Sequence, residues 1–259
     1  MPPWRLDRAC YAEIKEADYE VAVLPFGATE PHNLHLPYGT DTLEADLFGQ
    51  RACAEAAARG AKVILLPTIP YGTETNQREF PLSMNLNPST LHAIITDLVD
   101  SLIQSGIRKI VLLNSHGGND FKPLLRELYG TRDCHLFLCF WPQLLADAAG
   151  ELFEQDDNHA GEIETSLILA CAPDLVRRDA SGNFSADAGA VAKTRFRAVN
   201  EGWVSITRPW HLLTTNSGAG NPHAATAAKG ERAVEIVAGR LSEFLCELSE
   251  APVDERFPF

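Results

Sequence analysis

Four short apolar runs, each passing through a polar, turn-rich loop into a stretch compatible with a helix, constrain this chain more than any other feature. Val21-Ala22-Val23-Leu24 reads as a buried strand, and Lys62 to Pro67, Lys109 to Leu113 and Cys134 to Phe140 repeat the pattern. Between and after them, helices are predicted over Thr42 to Arg59 with Gly60 as its stop, and from a Ser89 cap to about Ser105 before Gly106. Further helices are expected over Lys122 to Tyr129, from the 159–166 segment to a stop before Pro173, and over Pro222 to Leu248. Leu6 to Glu16 reads as a short amphipathic lead-in. Alternation of this kind argues for a parallel, layered sheet. In such sheets the loops leaving strand ends are held rigid and accessible, so chemistry is sought there.

The first such loop carries Glu30, His32, His35 and Asp41. Glu30 and His32 are two residues apart, so an extended backbone sends both side chains to one side. Asp41 follows a bend made by Pro31, Pro37 and Gly39, and its two oxygens could bridge two cations; as an alternative it caps the next helix. His116, with Gly117 and Gly118, occupies the equivalent place after the third run. The segment His159-Ala160-Gly161-Glu162-Ile163-Glu164-Thr165-Ser166 enters an apolar helix. Glu162 and Ser166 share a face of it and Glu164 points elsewhere, so the two acids should have different jobs.

Glu30, His32, Asp41, His116 and Glu162 together offer enough donors for two divalent cations with room for water and substrate. Mixed imidazole and carboxylate donors accept Zn, Mn, Fe or Co. His159, with Glu162 beside it, is the candidate for catalytic proton transfer to a leaving nitrogen. The long loop from Pro70 to Pro88 has little periodicity, and Thr75, Asn76 and Gln77 on it are candidate substrate contacts, as is Gly117. Trp141 follows the fourth run and either lines a pocket or belongs to the core.

The chain has 259 residues and a net charge of -13, which repels nucleic acid and anionic membranes. Its six cysteines lack paired spacing and read as reduced, mostly buried thiols. The start lacks the apolar core of a signal peptide and no run suffices to span a bilayer, so a cytoplasmic protein of one domain, 1–259, is expected. Residues 151 to 159 form an acidic connection, and 174 to 207 carry little information beyond suggesting an insertion or a hairpin against a neighbouring subunit.

Glu30-Pro31-His32-Asn33-Leu34-His35-Leu36-Pro37-Tyr38-Gly39-Thr40-Asp41 resembles the first signature of the creatininase (creatinine amidohydrolase) family. Asn114-Ser115-His116-Gly117-Gly118-Asn119 is similar to the second, the 159–166 segment to the third, and Ser217-Gly218-Ala219-Gly220-Asn221-Pro222 with 225–230 to the closing segment. The resemblance implies a three-layer α/β/α sandwich with a mostly parallel central sheet, and a homohexamer with two divalent ions, Zn or Mn, per site. It assigns Glu30 and His116 to one ion, His32 to the other and Asp41 to both, with His35 orienting a ligand from behind.

Creatinine-binding members carry Tyr and then a ligand Glu directly after the second-motif His, where this chain has Gly117 and Gly118. Glu162 is expected to restore that carboxylate, as in the branch with His-Gly-Gly-Asn and His-Ala-Gly-Glu motifs. Creatinine enzymes also place a Trp shortly before the third-motif His and a Glu immediately before it, where this chain has Gln155 to Asp157 and Asn158. The resemblance therefore implies hydrolysis of a carbon-nitrogen bond in a small cyclic amide or formamide. The family's alternatives are peptide trimming and hydrolysis of a keto-inositol; a metal-binding member without catalysis is a further possibility.

Overall fold

The structure, a computed structural model, describes residues 3–155 and 157–259. A 3-10 turn (Leu6–Arg8) and the four-residue helix α1 (Tyr11–Ile14) precede β1 (Val21–Phe26), α2 (Thr40–Ala58) and β2 (Val63–Leu65). There follow α3 (Pro88–Gln104), β3 (Lys109–Asn114), α4 (Lys122–Leu128), β4 (His135–Phe140) and α5 (Ala146–Leu152). The chain ends with β5 (Asp157–His159), α6 (Glu162–Cys171), the short α7 (Arg197–Asn200) and α8 (Trp210–Leu213), β6 (Ala219–Gly220) and α9 (Ala227–Glu250).

Strands β1 to β4 form one sheet in the order β2-β1-β3-β4, every pair parallel. Their alternation explains the layers. Val21 and Val23 of β1 pack with Phe48 and Ala52 of α2 and Val237 and Leu241 of α9. Ala22, Leu24 and Phe26 face the opposite way, onto Leu91, Ile95 and Val99 of α3 and Leu124 of α4. A strand buried on both faces has to be apolar throughout, and each such Val, Leu or Phe contributes about 1.5–3 kcal/mol. The result is the expected three-layer α/β/α sandwich.

Strand order reverses at β1. The chain leaves β1 for β2 on one side and returns to add β3 on the other, which makes the carboxyl ends of β1 and β3 a switch point with a crevice between its loops. Those two strands stay in register to their last residues, Phe26 opposite Asn114. The first and second polar loops therefore emerge side by side.

Three helix starts differ from expectation, and the last is α9, which begins at Ala227 with Thr226 as its cap rather than at Pro222. Helix α2 begins at Thr40 with Gly39 in the cap position, so Asp41 lies inside the first turn rather than capping it. Helix α3 begins at Pro88 after Asn87, not at Ser89, because proline at the first helical position needs no partner for a missing N–H. Of the acidic connection expected over 151 to 159, Asp156 lies outside the described residues and 157–159 form β5, paired antiparallel with β6. Among the cysteines only Cys53 is fully buried; Cys10 and Cys171 are exposed, and all six are free thiols. No described helix is long and apolar enough to cross a membrane.

Helices α6 and α9 pack unusually closely. A Cβ at Gly230 would lie 1.9 Å from Ser166 O, and Ser166 Oγ accepts from Thr226 N–H at 3.2 Å where α9 begins. The face of α6 bearing Glu162 and Ser166 is thereby turned to α9. Gly230→Ala is expected to lower stability by about 1–3 kcal/mol through overpacking. Gly239→Ala on the same helix, where a Cβ meets nothing within 4 Å, should raise it by about 0.5–1 kcal/mol. Thermal unfolding of the two variants side by side checks both signs.

Candidate metal centre

Each polar loop is shaped by hydrogen bonds from its neighbours. In the first, Ser217 Oγ donates to Pro31 O and accepts from Asn33 N–H, both at 2.9 Å, so the closing segment pins the turn that carries Glu30 and His32. In the second, Asn114 Nδ2 donates to His116 O at 2.8 Å and Asn119 Nδ2 to Asn114 Oδ1 at 3.0 Å. Asn119 Oδ1 also accepts from Thr73 N–H at 3.0 Å, which ties the long loop to this turn. In the third, Ala160 N–H donates to Glu164 Oε2 at 2.6 Å and aims that carboxylate.

These anchors set two imidazoles against one carboxylate. His32 Nδ1 lies 3.0 Å from Glu30 O, and a carbonyl can only accept, so Nδ1 carries a proton and Nε2 faces Asp41 Oδ1 at 3.2 Å and Glu164 Oε2 at 3.8 Å. His116 repeats the pattern with its nitrogens exchanged. Its Nε2 lies 3.1 Å from Thr73 O, and Nδ1 faces Glu30 Oε1 at 3.2 Å and Asp41 Oδ2 at 3.1 Å. Asp41 thus turns one oxygen to each ring. Carbonyls that fix the outer nitrogen are the usual support of a metal-binding histidine.

All of these groups are buried except the partly exposed Glu164, and their electrostatics demand positive charge. Burial pulls the His32 imidazole down, but Asp41, Glu164 and Glu30 outweigh it and hold it well above its ordinary value. Burial acts likewise on His116, and Glu30, Glu74 and Asp41 reverse it. Burial raises the Glu30 carboxyl, while His116 and His159 hold it well below the usual carboxylate range. Glu74 is pushed up to about 10 by burial together with Glu30 and Asp41, against the pull of His116. Burial, then Glu164 and Asp41, hold Glu44 well above the usual range. The donor set fits a cation on two further observations. Ligand atoms of Glu30, His32 and His159, of Glu30, Glu74 and His116, and of His32, Asp41 and Glu164 lie within 4.8 Å of one another in each group. Moreover Asp41 Oδ2 and both Glu74 oxygens are buried without a hydrogen-bond partner.

The family model described as Creatininase (creatinine amidohydrolase) matches residues 8–245. The chain belongs to the creatininase family. It is 30% identical over 220 residues to the mycofactocin precursor peptide peptidase of Mycolicibacterium smegmatis, covering 82% of this chain and 78% of that one. It is 31% identical over 180 residues to the creatinine amidohydrolase of Pseudomonas putida, covering 61% and 67%. A crystal structure from Bacteroides fragilis, provisionally assigned as a creatinine amidohydrolase, superposes with a TM-score of 0.87 at 34% identity over 98% of this chain and 100% of the other. Family members are metal-dependent hydrolases.

In this creatininase-family protein the structure brings Glu30, His32, Asp41, His116 and His159 together. Glu162 does not join them. Its Oε2 accepts from Glu154 and Gln155 N–H at 2.8 and 2.9 Å, and its Oε1 pairs with Lys229 Nζ of α9. The two acids of α6 do have separate jobs, but Glu164 faces the centre and Glu162 the helix pair behind it. The reason is the close packing at Gly230, which commits the Glu162 face to α9. His35 stands behind the site with Nε2 2.8 Å from Thr165 Oγ1. His159 places Nε2 2.9 Å from Pro31 O and its ring 4.2 Å from that of His32, and burial, reinforced by His32, pulls it down to about 4.

The cleft above these groups holds about 390 Å³. Gln77 lines it and donates to Glu30 Oε2, and Gly117 lines it too. Trp141 belongs to both cleft and core: its indole donates to Ser115 Oγ at 2.8 Å while the ring packs 4.9 Å from that of Phe48. Thr75 is turned outward onto Asn85, and Asn76 lines the cleft instead. Sequence reasoning missed Glu74, Arg208 and Trp210, all cleft residues. An acid amid the amides of the long loop was a signal for Glu74; nothing in the 174–213 stretch singled out the other two.

Glu162→Gln should lower stability by about 1–3 kcal/mol, the worth of hydrogen bonds to a charged group, and leave bound metal unchanged. Glu164→Gln should strip metal with a smaller loss of stability. Elemental analysis alongside chemical denaturation separates the two acids.

Proposed function

We propose that this protein is a metal-dependent amidohydrolase that cleaves a carbon-nitrogen bond of a small cyclic amide or formamide. The observation that carries the reading is Asp41, whose two oxygens meet two separate imidazoles, each fixed from behind by a backbone carbonyl. Glu30, Asp41 and His116 would hold one divalent cation and His32, Asp41 and Glu164 the other, Zn or Mn, with Fe compatible with the same donors. Bound there, such ions polarise a carbonyl and acidify a water.

The chain's own residues supply the remainder. Gln77 holds Glu30 in place through its amide. His159 carries its proton on the nitrogen facing Pro31 O, so Nδ1 is free to accept one from the attacking water and pass it to the departing nitrogen. Trp141, Trp210 and Gly117 line the cleft, the two indoles giving the amide an apolar border. Among the described residues lining the cleft Arg208 is the one Lys or Arg, its Cζ 5.5 Å from the Trp210 ring centroid. It favours substrates that carry a carboxylate beside the scissile amide.

Chelation should abolish hydrolysis and Zn or Mn should restore it, with elemental analysis giving two equivalents per chain. A panel of cyclic amides, formamides and short peptides, followed for released amine, decides the bond. Release of acid without amine would point to a sugar-like or keto-inositol substrate. No turnover of any class, with metal bound, would make this a binding protein. Arg208→Gln should raise KM for carboxylate-bearing amides about tenfold or more, with kcat nearly retained and neutral amides unaffected.

A homohexamer is part of the same reading. Phe196 and Trp203, 61% and 69% exposed, stand with Val204, Ile206 and Leu212 on the irregular 174–213 segment, a surface suited to meeting another copy. Light scattering after gel filtration should give six chains per particle, and Phe196→Ser combined with Trp203→Ser should give a smaller species.

A further inference from the structure

We propose that Glu74, from the long loop between β2 and α3, is a direct ligand of the cation framed by Glu30 and His116, supplying the donor that the turn at Gly118 cannot. This inference rests on the metal reading above.

The turn after His116 is closed to any side chain at its third residue. A Cβ at Gly118 would lie 2.2 Å from His116 Nε2 and 2.3 Å from Thr73 O. No carboxylate can therefore grow from that position without displacing His116. The space is taken by the loop that brings Glu74, which is 1% exposed and reaches within 3.2 Å of His116 Nε2 through Oε1.

Its carboxyl group is set between the His116 ring and the Glu30 carboxylate. The N–H of His116 Nε2 is directed to Thr73 O, and neither Glu74 oxygen has a hydrogen-bond partner despite the short distance. Glu74 is thus not the acceptor that orients His116. Instead it lies against the Glu30 carboxylate, itself held from the far side by Gln77. Two buried carboxylates in contact repel unless a proton or a cation sits between them. Their ligand atoms and one nitrogen of His116 are within 4.8 Å of each other, a span a single cation bridges. With Asp41 this position would have four protein donors, whereas the His32, Asp41 and Glu164 position has three and is the more open to water.

The experiment is calorimetric titration of metal-free protein with Zn or Mn, paired with elemental analysis after desalting. The wild type, Glu74→Gln, Glu74→Asp and Glu164→Gln are compared after circular dichroism has established that each is folded. Glu74→Gln preserves shape and removes charge. It should lose one equivalent, or bind it more than about a hundredfold more weakly, beyond what loss of an outer hydrogen-bond partner costs. Glu74→Asp should keep two equivalents, and the variant with both Glu74→Gln and Glu164→Gln should hold none. Two equivalents in Glu74→Gln, both within about a hundredfold of the wild-type affinity, would overturn the proposal and leave Glu74 as a hydrogen-bond partner of Glu30. Should Glu74→Gln not fold, Glu74→Ala carries the same comparison. Failure of the wild type to take up any cation would overturn the metal reading itself, and this inference with it.

Discussion

Parallel pairing of β1 with β3, in register from Val21 and Lys109 to Phe26 and Asn114, is what the rest of the molecule depends on. A slip of one residue would invert every side chain of β1 between the two cores and withdraw one loop from the other. Because both strands end together, Glu30 and His32 leave β1 beside the turn that leaves β3 with His116. No local conformational preference could bring these residues together. The sheet does so because burying both of its faces admits only one register.

That arrangement gathers groups that oppose their own burial. Glu30, Asp41, Glu74 and Glu164 converge on two imidazoles inside the protein, and a buried carboxylate without a counter-charge is among the costlier features a fold can carry. Such a cluster persists because the surroundings over-determine it. Ser217 fixes Pro31 and Asn33, Asn114 and Asn119 fix the second turn, and Ala160 N–H fixes Glu164. The closing segment, remote in sequence from any donor, thus serves the centre by holding its first loop. An arrangement fixed in this way would need little reorganisation to accept a cation.

Helix α6 shows how far spacing can be trusted. Its period states correctly that Glu162 and Glu164 diverge, but it is silent on which of the two faces looks inward. That choice is made by Gly230 on α9, sixty-odd positions further along, whose missing side chain lets α6 approach until Ser166 O fills the space. With the Glu162 face taken by Lys229 and the 154–155 turn, only Glu164 is left to face His32. Asp41 illustrates the converse: its place in the first turn of α2 rather than at the cap aims it into the cleft, one oxygen to each ring.

Sequence by itself determined the alternating architecture, the polar loops at the strand ends, and the crowding of Glu30, His32, Asp41 and His116 into those loops. All of these follow from periodicity and from residue types crowded into short segments, which are local properties of a chain. Tertiary structure alone decided between Glu162 and Glu164, brought Glu74 to His116, turned Thr75 away and placed Arg208 and Trp210 on the cleft wall. Those outcomes depend on distances between segments far apart in the chain, and such distances are set by how whole helices and loops fill the space around the sheet. A one-dimensional pattern records which residues share a face; only packing says what that face meets.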